Sequence, residues 1–381
     1  SLVPVDAKGR PVTPLYNYLK PASEVLLQQF DSYHGYNEAL AAATASPLLG
    51  NLNAGLQLYG LKHQKPQLFA RVHKVLHLPQ YLSYLVTGQM VSEYTSIGCH
   101  TLLWHFEKGR YHPWVTHEAL DGLLPALAAP HTCFEVALGS HTVWAGTGLH
   151  DSSAALIPYL KHFTEPFALI STGTWSITLN PFSSNALTTQ ELQQDCLCYL
   201  TYGGKPVKAS RLFLGHLHQN FIEKLAAHFG CAPDFFRDIN FDPSLTSQLH
   251  QAQLEDLFTN LPHSLAAAGF ADASQAYHVL MQYLIGLQVA SAQLVLRNSP
   301  VQQVVVDGGF GQNLVFMNLL ARALPGYRVF AAVVPQATAL GAAIVLNNLI
   351  SRQLLHRPLL KLIRFYGSVP GFLFHPISIL L

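Results

Sequence analysis

An acid among small residues is the first feature of this 381-residue chain that could do chemistry. Asp151 stands between a glycine-bearing turn, Gly146-Thr147-Gly148, and the small residues Ser152 to Ala155. Small residues favour a tightly packed helix start, where the positive end of the helix dipole stabilises an anion. Asp151 is therefore either a simple N-cap, the more common role, or a general base that takes a proton from an attacking hydroxyl. The two roles are compatible, because an N-cap position also fixes the carboxylate.

A glycine turn follows between two β-type runs, at Ser171-Thr172-Gly173-Thr174-Trp175. A glycine at the tip of such a turn exposes successive backbone N–H groups, which can cradle a phosphate, and the threonine hydroxyls can add hydrogen bonds. Most turns of this kind only connect strands. The segment is not a Walker A loop, because no lysine follows at the required place.

A second glycine turn, Asp307-Gly308-Gly309-Phe310-Gly311-Gln312-Asn313, lies between an apolar strand and an amphipathic helix. Its glycines permit the close approach either of a ligand at the helix start or of another backbone segment. The spacing is not that of a Rossmann fingerprint, and no acidic residue follows Asp307. Gly341, within a later predicted helix, indicates either tight packing or space for an adenine.

Composition narrows the class of protein. The formal net charge is +1, from 22 basic and 21 acidic residues, so no overall field favours nucleic acid or an anionic membrane. The five cysteines are too sparse for a disulfide framework and fit a reducing, cytoplasmic compartment. The apolar segment Val279 to Leu296 is interrupted by glutamines, which favours a core helix over a membrane span. His216-x-His218 lacks a third ligand at recognisable spacing, so no metal-ligating residue is assigned.

Two regions differ in periodicity. Apolar spacing of three and four predicts helices over Ala22–Tyr33, Leu56–His63, Pro66–Val75 and Leu78–Leu85. From Thr132 onward, short strands and glycine turns alternate with helices, which is typical of a layered α/β domain. We expect the domain boundary near residue 160.

The order of four motifs resembles the FGGY family of carbohydrate kinases: HDSSAAL, STGTWSITL, VVVDGGFGQN and PQATALGAA. The resemblance runs from Ser1 to about Asn348. With EYTSIGCHTLL, from Glu93 to Leu103, the chain looks most like the rhamnulokinase and fuculokinase branch.

The resemblance implies a two-domain actin-like/ribonuclease H-like ATPase fold with an interdomain cleft. Residues 1–160 would be the remainder of the sugar-binding N-terminal domain and residues 161–350 the nucleotide-binding C-terminal domain, followed by an atypical basic and apolar tail, 351–381. The implied reaction is ATP-dependent phosphorylation of a ketose, similar to L-rhamnulose or L-fuculose, at a terminal hydroxyl with Mg²⁺. Neither nucleic acid nor a membrane is an implied partner, and a homodimer stays open.

The resemblance also assigns roles to residues. Asp151 would be the base, Ser152 and Gln57 would contact the sugar, and Trp175 would either stack on the sugar or, more commonly for a tryptophan, lie in the core. The ATP-binding residues would be Thr172, Gly173, Thr174, Gly308, Gly309, Asn313, Ala339 and Gly341.

The match departs from the family at the start of the chain. The family opens with a D-x-G-T phosphate loop carrying a metal-associated aspartate, and no such loop occurs here. We therefore expect an incomplete N-terminal domain and little kinase activity from these residues alone. The alternative is a catalytically impaired relative that binds sugar or nucleotide. Gln336 also replaces an acid that is common before the ATALG segment.

Overall fold

The structure, a computed structural model, describes residues 1–183, 185–260, 268–334, 336–350, 360–367 and 376–377. These fall into two compact units. The first unit comprises residues 1–161, 184–208 and 336–355, and the second comprises residues 162–183, 209–335 and 356–381. The main boundary lies beside the predicted one at residue 160, but the segments 184–208 and 336–355 group with the first unit, whereas the predicted domains are contiguous.

Helices dominate the first part of the described chain and alternate with strands later. In chain order they are α1 (Glu24–His34), α2 (Glu38–Ala43), α3 (Ala54–Gln64), α4 (Pro66–Phe69), α5 (Leu78–Thr87), α6 (Tyr94–Ile97), α7 (Pro113–His117), α8 (Asp151–His162), α9 (Thr189–Gln193), α10 (Leu214–Phe229), α11 (Gln251–Thr259), α12 (Ala273–Leu296), α13 (Leu314–Ala323) and α14 (Ala337–Ile350). Short 3₁₀ turns occur at Gly50–Leu52, Asp121–Leu123, Phe235–Asp238, Pro243–Leu245 and Gly309–Gln312.

The strands are mostly short in the first unit and longer in the second. In chain order they are β1 (Leu2–Val5), β2 (Lys74–His77), β3 (Trp104–His105), β4 (Arg110–Tyr111), β5 (Cys133–Leu138), β6 (His141–Gly146), β7 (Phe167–Thr172), β8 (Ser176–Asn180), β9 (Cys196–Leu200), β10 (Pro206–Leu212), β11 (Gln303–Gly308), β12 (Arg328–Val333), β13 (Lys361–Phe365) and β14 (Pro376–Ile377).

One helix prediction in the first unit is wrong over part of its length. The helix predicted over Pro66–Val75 ends at Phe69, and Lys74–His77 forms β2. Strand β2 pairs antiparallel with β1, so that Leu2 lies opposite His77. A strand partner more than 60 residues away in the sequence overrides the local helical spacing. The core of this unit packs mainly aromatic and aliphatic side chains, among them Phe30, Leu56, Tyr59, Val75 and Trp114.

The second unit is a layered α/β structure around one sheet. Neighbouring strands follow the order β14-β13-β12-β11-β7-β8-β10. Strand β11 pairs parallel with both β7 and β12, while β7 with β8 and β12 with β13 are antiparallel. The near-continuous apolar runs of β7 and β11 are fully buried over most of their length, as expected for central parallel strands covered on both faces.

The long helix α12 packs in the core of the second unit. It is long and apolar enough by composition to cross a membrane, yet more than half of its most apolar window is buried inside the protein. Gln288, in its middle, is fully buried and accepts a hydrogen bond of 2.6 Å from the Ser176 hydroxyl. The prediction of a core helix in this segment is confirmed.

The predicted tail contributes to the same sheet. Strand β13 lies antiparallel to β12, with Val329 opposite Phe365, and β14 pairs with β13. Residues 351–359, 368–375 and 378–381 lie outside the described part of the chain.

Candidate active site

Asp151 begins helix α8, as its sequence setting predicts. Its carboxylate accepts a hydrogen bond of 2.6 Å from the backbone N–H of Ser152. The ring Nε2 of His150 lies 3.3 Å from the same carboxylate oxygen. The side chain of Asp151 is 78% exposed, so its carboxylate is accessible to a substrate hydroxyl.

The two other first-unit candidates differ in environment. Ser152 is half-buried, and its hydroxyl contacts Asp151 Oδ1 at 3.3 Å. Gln57 is buried on α3 and donates from Nε2 to the Asn51 carbonyl at 2.6 Å. Its buried Oε1 has no hydrogen-bond partner within the described residues. An unpaired buried amide oxygen can accept a hydrogen bond from a ligand hydroxyl.

In the second unit, the first glycine turn connects β7 to β8. The Thr172 hydroxyl donates to the Asp307 carbonyl at 2.6 Å and accepts from the backbone N–H of Phe310 at 3.1 Å. The side chain of Thr172 therefore ties the two glycine turns together. Gly173 and Thr174, at the tip, are exposed.

Two further glycines allow neighbouring backbones to approach this turn. A Cβ added to Gly308 would overlap the carbonyl oxygen of Thr172, and one added to Gly215 would overlap that of Gly173. Gly308 also has a φ of 87°, a conformation that glycine adopts at little cost. The sequence left open whether a ligand or another backbone segment approaches Gly308. In the structure, the backbone of Thr172 lies against it.

A cavity of about 920 Å³ lies within the second unit beside these turns. Such a volume falls in the range of small-molecule and cofactor sites. Four of the predicted nucleotide residues line it together, namely Thr172, Gly173, Gly309 and Asn313. The remaining lining residues, which the sequence did not assign to the nucleotide, are Gly215, His218, Phe236, Arg237, Asp238, Ile239, Asn240, Phe310, Gln312 and Leu314.

The walls of the cavity are rigidly held. Asn313 caps helix α13 by accepting from the Phe316 N–H at 2.8 Å, and its Nδ2 donates to the Tyr277 hydroxyl at 2.6 Å. Burial lowers the pKa of His218 to about 4, so its ring is neutral near pH 7. That ring packs edge-on against Phe310 and Phe236. One N–H of the Asn313 amide is therefore used within the wall, in the bond to Tyr277.

Four predicted nucleotide residues do not line the cavity: Thr174, Gly308, Ala339 and Gly341. Thr174 follows the tip of the first turn, and its carbonyl accepts from the His216 N–H at 3.2 Å. Ala339 and Gly341 lie on α14 in the first unit. A Cβ on Gly341 would overlap the carbonyl oxygen of Ala154, so this glycine permits close packing of α14 on α8.

Trp175 is not a core residue. Its side chain is 43% exposed and stacks on Phe213, with ring centroids 4.4 Å apart. The Arg211 guanidinium lies 5.6 Å from the centre of the indole ring. The alternative of a core tryptophan is therefore wrong, because the ring closes the exposed end of the turn rather than filling the interior.

The residues present are compatible with a nucleotide and its metal. Gly173 and Thr174 are exposed; the Gly173 N–H donates to the Trp175 carbonyl at 2.8 Å, and the Thr174 N–H and hydroxyl suit phosphate oxygens. Among the residues that the structure describes, no cluster of three or more His, Cys, Asp or Glu side chains forms a preformed metal site. Mg²⁺ commonly binds through substrate phosphates and only one or two carboxylates.

Comparison with known proteins gives a consistent picture. The family described as "Carbohydrate kinase FGGY, C-terminal domain" matches residues 164–354. A rhamnulokinase of Yersinia pestis (strain Pestoides F) is 27% identical over 316 residues, covering 75% of this chain and 61% of the relative. The chain thus spans about 61% of the length of the curated relatives that it matches over this region.

Solved structures show the fold. A carbohydrate kinase from Novosphingobium aromaticivorans superposes with a TM-score of 0.72 at 22% identity, over 96% of this chain and 78% of that one. Plasmodium falciparum glycerol kinase with ADP gives 0.68 at 15% identity, over 93% and 74%. The predicted actin-like α/β ATPase fold is confirmed.

Proposed function

This chain belongs to the FGGY family of carbohydrate kinases, and on that premise we propose that it transfers a phosphoryl group from ATP to a terminal hydroxyl of a ketose. The observation that carries the proposal is the cavity of the second unit, which is lined by residues from both predicted glycine turns. The rhamnulokinase relatives support an acceptor similar to L-rhamnulose, and L-fuculose stays the second candidate from the sequence resemblance.

We assign the cavity to the nucleotide. At the turn of Gly173 and Thr174, the Thr174 N–H and hydroxyl would bind phosphate oxygens, because the Gly173 N–H already donates to the Trp175 carbonyl at 2.8 Å. Gly309 and Asn313, which line the cavity, would shape the adenosine pocket, and Gly308 lies next to Gly309 in the same turn. Ala339 and Gly341 stay candidates for the neighbourhood of the adenine. Mg²⁺, bound with the phosphates, would neutralise the charge that develops during transfer.

We assign the general base to Asp151. A phosphoryl acceptor hydroxyl must lose its proton as it attacks, and a positioned carboxylate can accept it. The contacts with Ser152 and His150 are made by Oδ1 of Asp151. The side chain is 78% exposed, which leaves Oδ2 accessible for the proton of the acceptor hydroxyl. After transfer, the proton on Asp151 returns to solvent.

Three side chains are candidates for sugar contacts. Ser152 adjoins the base, and the unpaired buried Oε1 of Gln57 supports a role as an acceptor for a sugar hydroxyl. Trp175 offers an exposed aromatic ring, although Phe213 already stacks on it. We also propose a cytoplasmic location, in keeping with the sparse cysteine content of five in 381 residues.

The test is ADP release by the full-length protein with a panel of ketoses and Mg-ATP. Release that depends on one or two ketoses supports the proposal, and ATP hydrolysis that no sugar stimulates contradicts it. Thermal shift with the same ligands measures binding separately, because ligands that bind only the folded state raise its melting temperature. Ligand-induced shifts without any ADP release would assign the chain to the alternative, a catalytically impaired relative.

A further inference from the structure

The backbone that carries Asp151 is held from outside by side chains of two other helices. Because the Asp151 carboxylate is largely exposed, its location depends on the backbone of the preceding segment, residues 146–150. This segment belongs to the first unit, as do the helices that hold it. A general base must be held within about 0.5 Å of its productive geometry, so these outside contacts bear on catalysis.

Helix α5 holds the first half of the segment. The Ser83 hydroxyl donates to the Gly146 carbonyl at 2.6 Å, and Gln80 Nε2 donates to the Gly148 carbonyl at 3.0 Å. Gly148 has a φ of 82°, and a Cβ there would overlap the carbonyl of Pro79. The turn therefore packs directly on the first turn of α5.

Helix α6 holds the second half through a buried carboxylate. The backbone N–H of His150 donates to the Thr95 hydroxyl oxygen at 2.8 Å. That hydroxyl in turn donates to Glu93, with 2.7 Å to Oε2. Glu93 is only 5% exposed and also accepts from the backbone N–H groups of Thr95 and Ser96, at 2.7 and 2.6 Å. A hydroxyl that donates to a carboxylate is polarised and is a stronger acceptor for the next donor.

Gln80 joins the two halves. Besides the Gly148 carbonyl, its Nε2 lies 3.3 Å from Glu93 Oε1. The ring of His150 is fixed as well, since it stacks on Tyr199 and its Nε2 lies 2.8 Å from the Cys99 sulfur. Gly146, Gly148 and His150 are therefore each held by a side chain of another helix.

We propose that Glu93 and Thr95 are positioning residues for Asp151, acting through the chain Glu93 carboxylate, Thr95 hydroxyl and His150 amide. The inference rests on the proposed function, because positioning matters only if Asp151 is the base. Glu93 and Thr95 do not touch the substrate in this scheme. They fix the residue immediately before the base and so set the direction from which its carboxylate meets the acceptor hydroxyl.

The decisive variant is Thr95→Val, which keeps the shape of the side chain and removes the hydroxyl. Thr95→Ser keeps the hydroxyl and serves as the rescue. Thr101→Val is the matched control, because Thr101 is 4% exposed and its hydroxyl also donates and accepts one hydrogen bond each, to the Ile97 carbonyl and from the Leu103 N–H. Neither of its bonds involves residues 146–151.

The first measurement is amide hydrogen exchange of peptides covering residues 146–151 in the full chain. We expect faster exchange there in Thr95→Val, with wild-type exchange in Thr95→Ser and Thr101→Val. Unchanged exchange in Thr95→Val, or equal acceleration in the control, would overturn the proposed anchoring. This measurement needs no turnover, so it decides the anchoring even if the protein fails to release ADP.

The second measurement is steady-state kinetics of full-length protein. A misplaced base lowers kcat by about 10- to 100-fold while KM for ATP stays constant. Thr95→Ser should restore kcat, and Glu93→Gln, which turns an amide N–H toward two donors, should lower it at least as much as Thr95→Val. Normal kcat in both variants would exclude a positioning role. If the wild-type protein itself shows no ketose-dependent ADP release, the proposed function is contradicted and the anchoring proposal is not.

Discussion

The segment that carries Asp151 and the turn at Thr172 to Thr174 are held by different means. In the first unit, side chains of α5 and α6 bind the backbone before the acid through hydrogen bonds. In the second unit, the turn is held between two glycines whose missing side chains let backbone pack on backbone. The first region is held mainly by side-chain hydrogen bonds, whereas the second combines the two hydrogen bonds of the Thr172 hydroxyl with close backbone packing at Gly308 and Gly215.

The difference follows from what each region has to present. A base needs one carboxylate at one place, and side-chain hydrogen bonds fix its backbone while leaving the acid exposed. A phosphate site needs backbone N–H groups that point outward, and close packing behind the turn fixes the backbone around Thr174. We therefore expect the first region to be sensitive to changes of polar groups and the second to added volume.

Replacing Asp151 by asparagine is expected to have the largest effect. Asn keeps the size and the capping ability of the side chain but cannot accept the proton. Turnover of the full-length protein should fall by about 10²–10⁴-fold, while the melting temperature and nucleotide binding stay close to wild type. Asp121→Asn, at an exposed acid of a 3₁₀ turn, is the control. Retention of most activity by Asp151→Asn would contradict the base assignment.

Replacing each of two neighbouring glycines of the second unit by alanine should change the free energy of unfolding by different amounts. Gly308→Ala places a Cβ against the Thr172 carbonyl in a left-handed conformation, so we expect about 2–5 kcal/mol of lost stability. Gly309→Ala meets no atom within 4 Å and should be nearly neutral. Urea denaturation of the two variants measures the difference. Equal stabilities would mean that this turn does not depend on close backbone packing.

A second buried carboxylate in the first unit, Glu118, is expected to make the stability of the protein depend on pH. Glu118 contacts Lys62, His34 and His63 at 2.6 to 2.8 Å. Partial burial alone would raise the pKa of Glu118, but these hydrogen bonds outweigh it and lower the pKa to about 2. A lowered carboxylate pKa stabilises the folded state fully above the ordinary value of 4.5, and this contribution is lost as pH falls from 4.5 toward 2.

Glu118→Gln should therefore lose about 1–3 kcal/mol near pH 7, and its deficit relative to wild type should shrink between pH 4.5 and 2. Denaturation at several pH values measures this, with Glu107→Gln, at an exposed glutamate, as the control. A deficit that is independent of pH would show that Glu118 acts by packing rather than by charge.

The second unit could be predicted from sequence more fully than the first. Its strands and glycine turns are local patterns, so the strand, turn and helix from Gln303 to Ala323 follow directly from the sequence. The closeness of Gly215 to the turn at Gly173 has no such local signal, because the two meet only through tertiary packing. The wall from Phe236 to Asn240 was missed for the same reason.

In the first unit, the acid was visible in the sequence and its supports were not. Asp151 stands out because small residues surround it, whereas Glu93 lies 58 positions earlier in a helical stretch and is joined to it through Thr95 and a backbone N–H. Capping geometry at Glu93-Tyr-Thr-Ser was the available signal, since an acid before a short helix accepts from its first N–H groups. That pattern predicts the helix cap but does not predict that Thr95 contacts the backbone of His150.

Ser152→Ala is expected to have the smallest effect. It tests whether the Ser152 hydroxyl contacts the sugar or helps to hold Asp151 in place. Its hydroxyl lies 3.3 Å from Asp151 Oδ1, while its backbone N–H makes the shorter bond of 2.6 Å, which Ser152→Ala retains. Removing the hydroxyl should therefore leave kcat nearly unchanged. If the hydroxyl binds the sugar, its loss removes one hydrogen bond and raises KM for the ketose by about two- to tenfold. A large fall in kcat with constant KM would instead place Ser152 with Thr95 among the groups that hold the base.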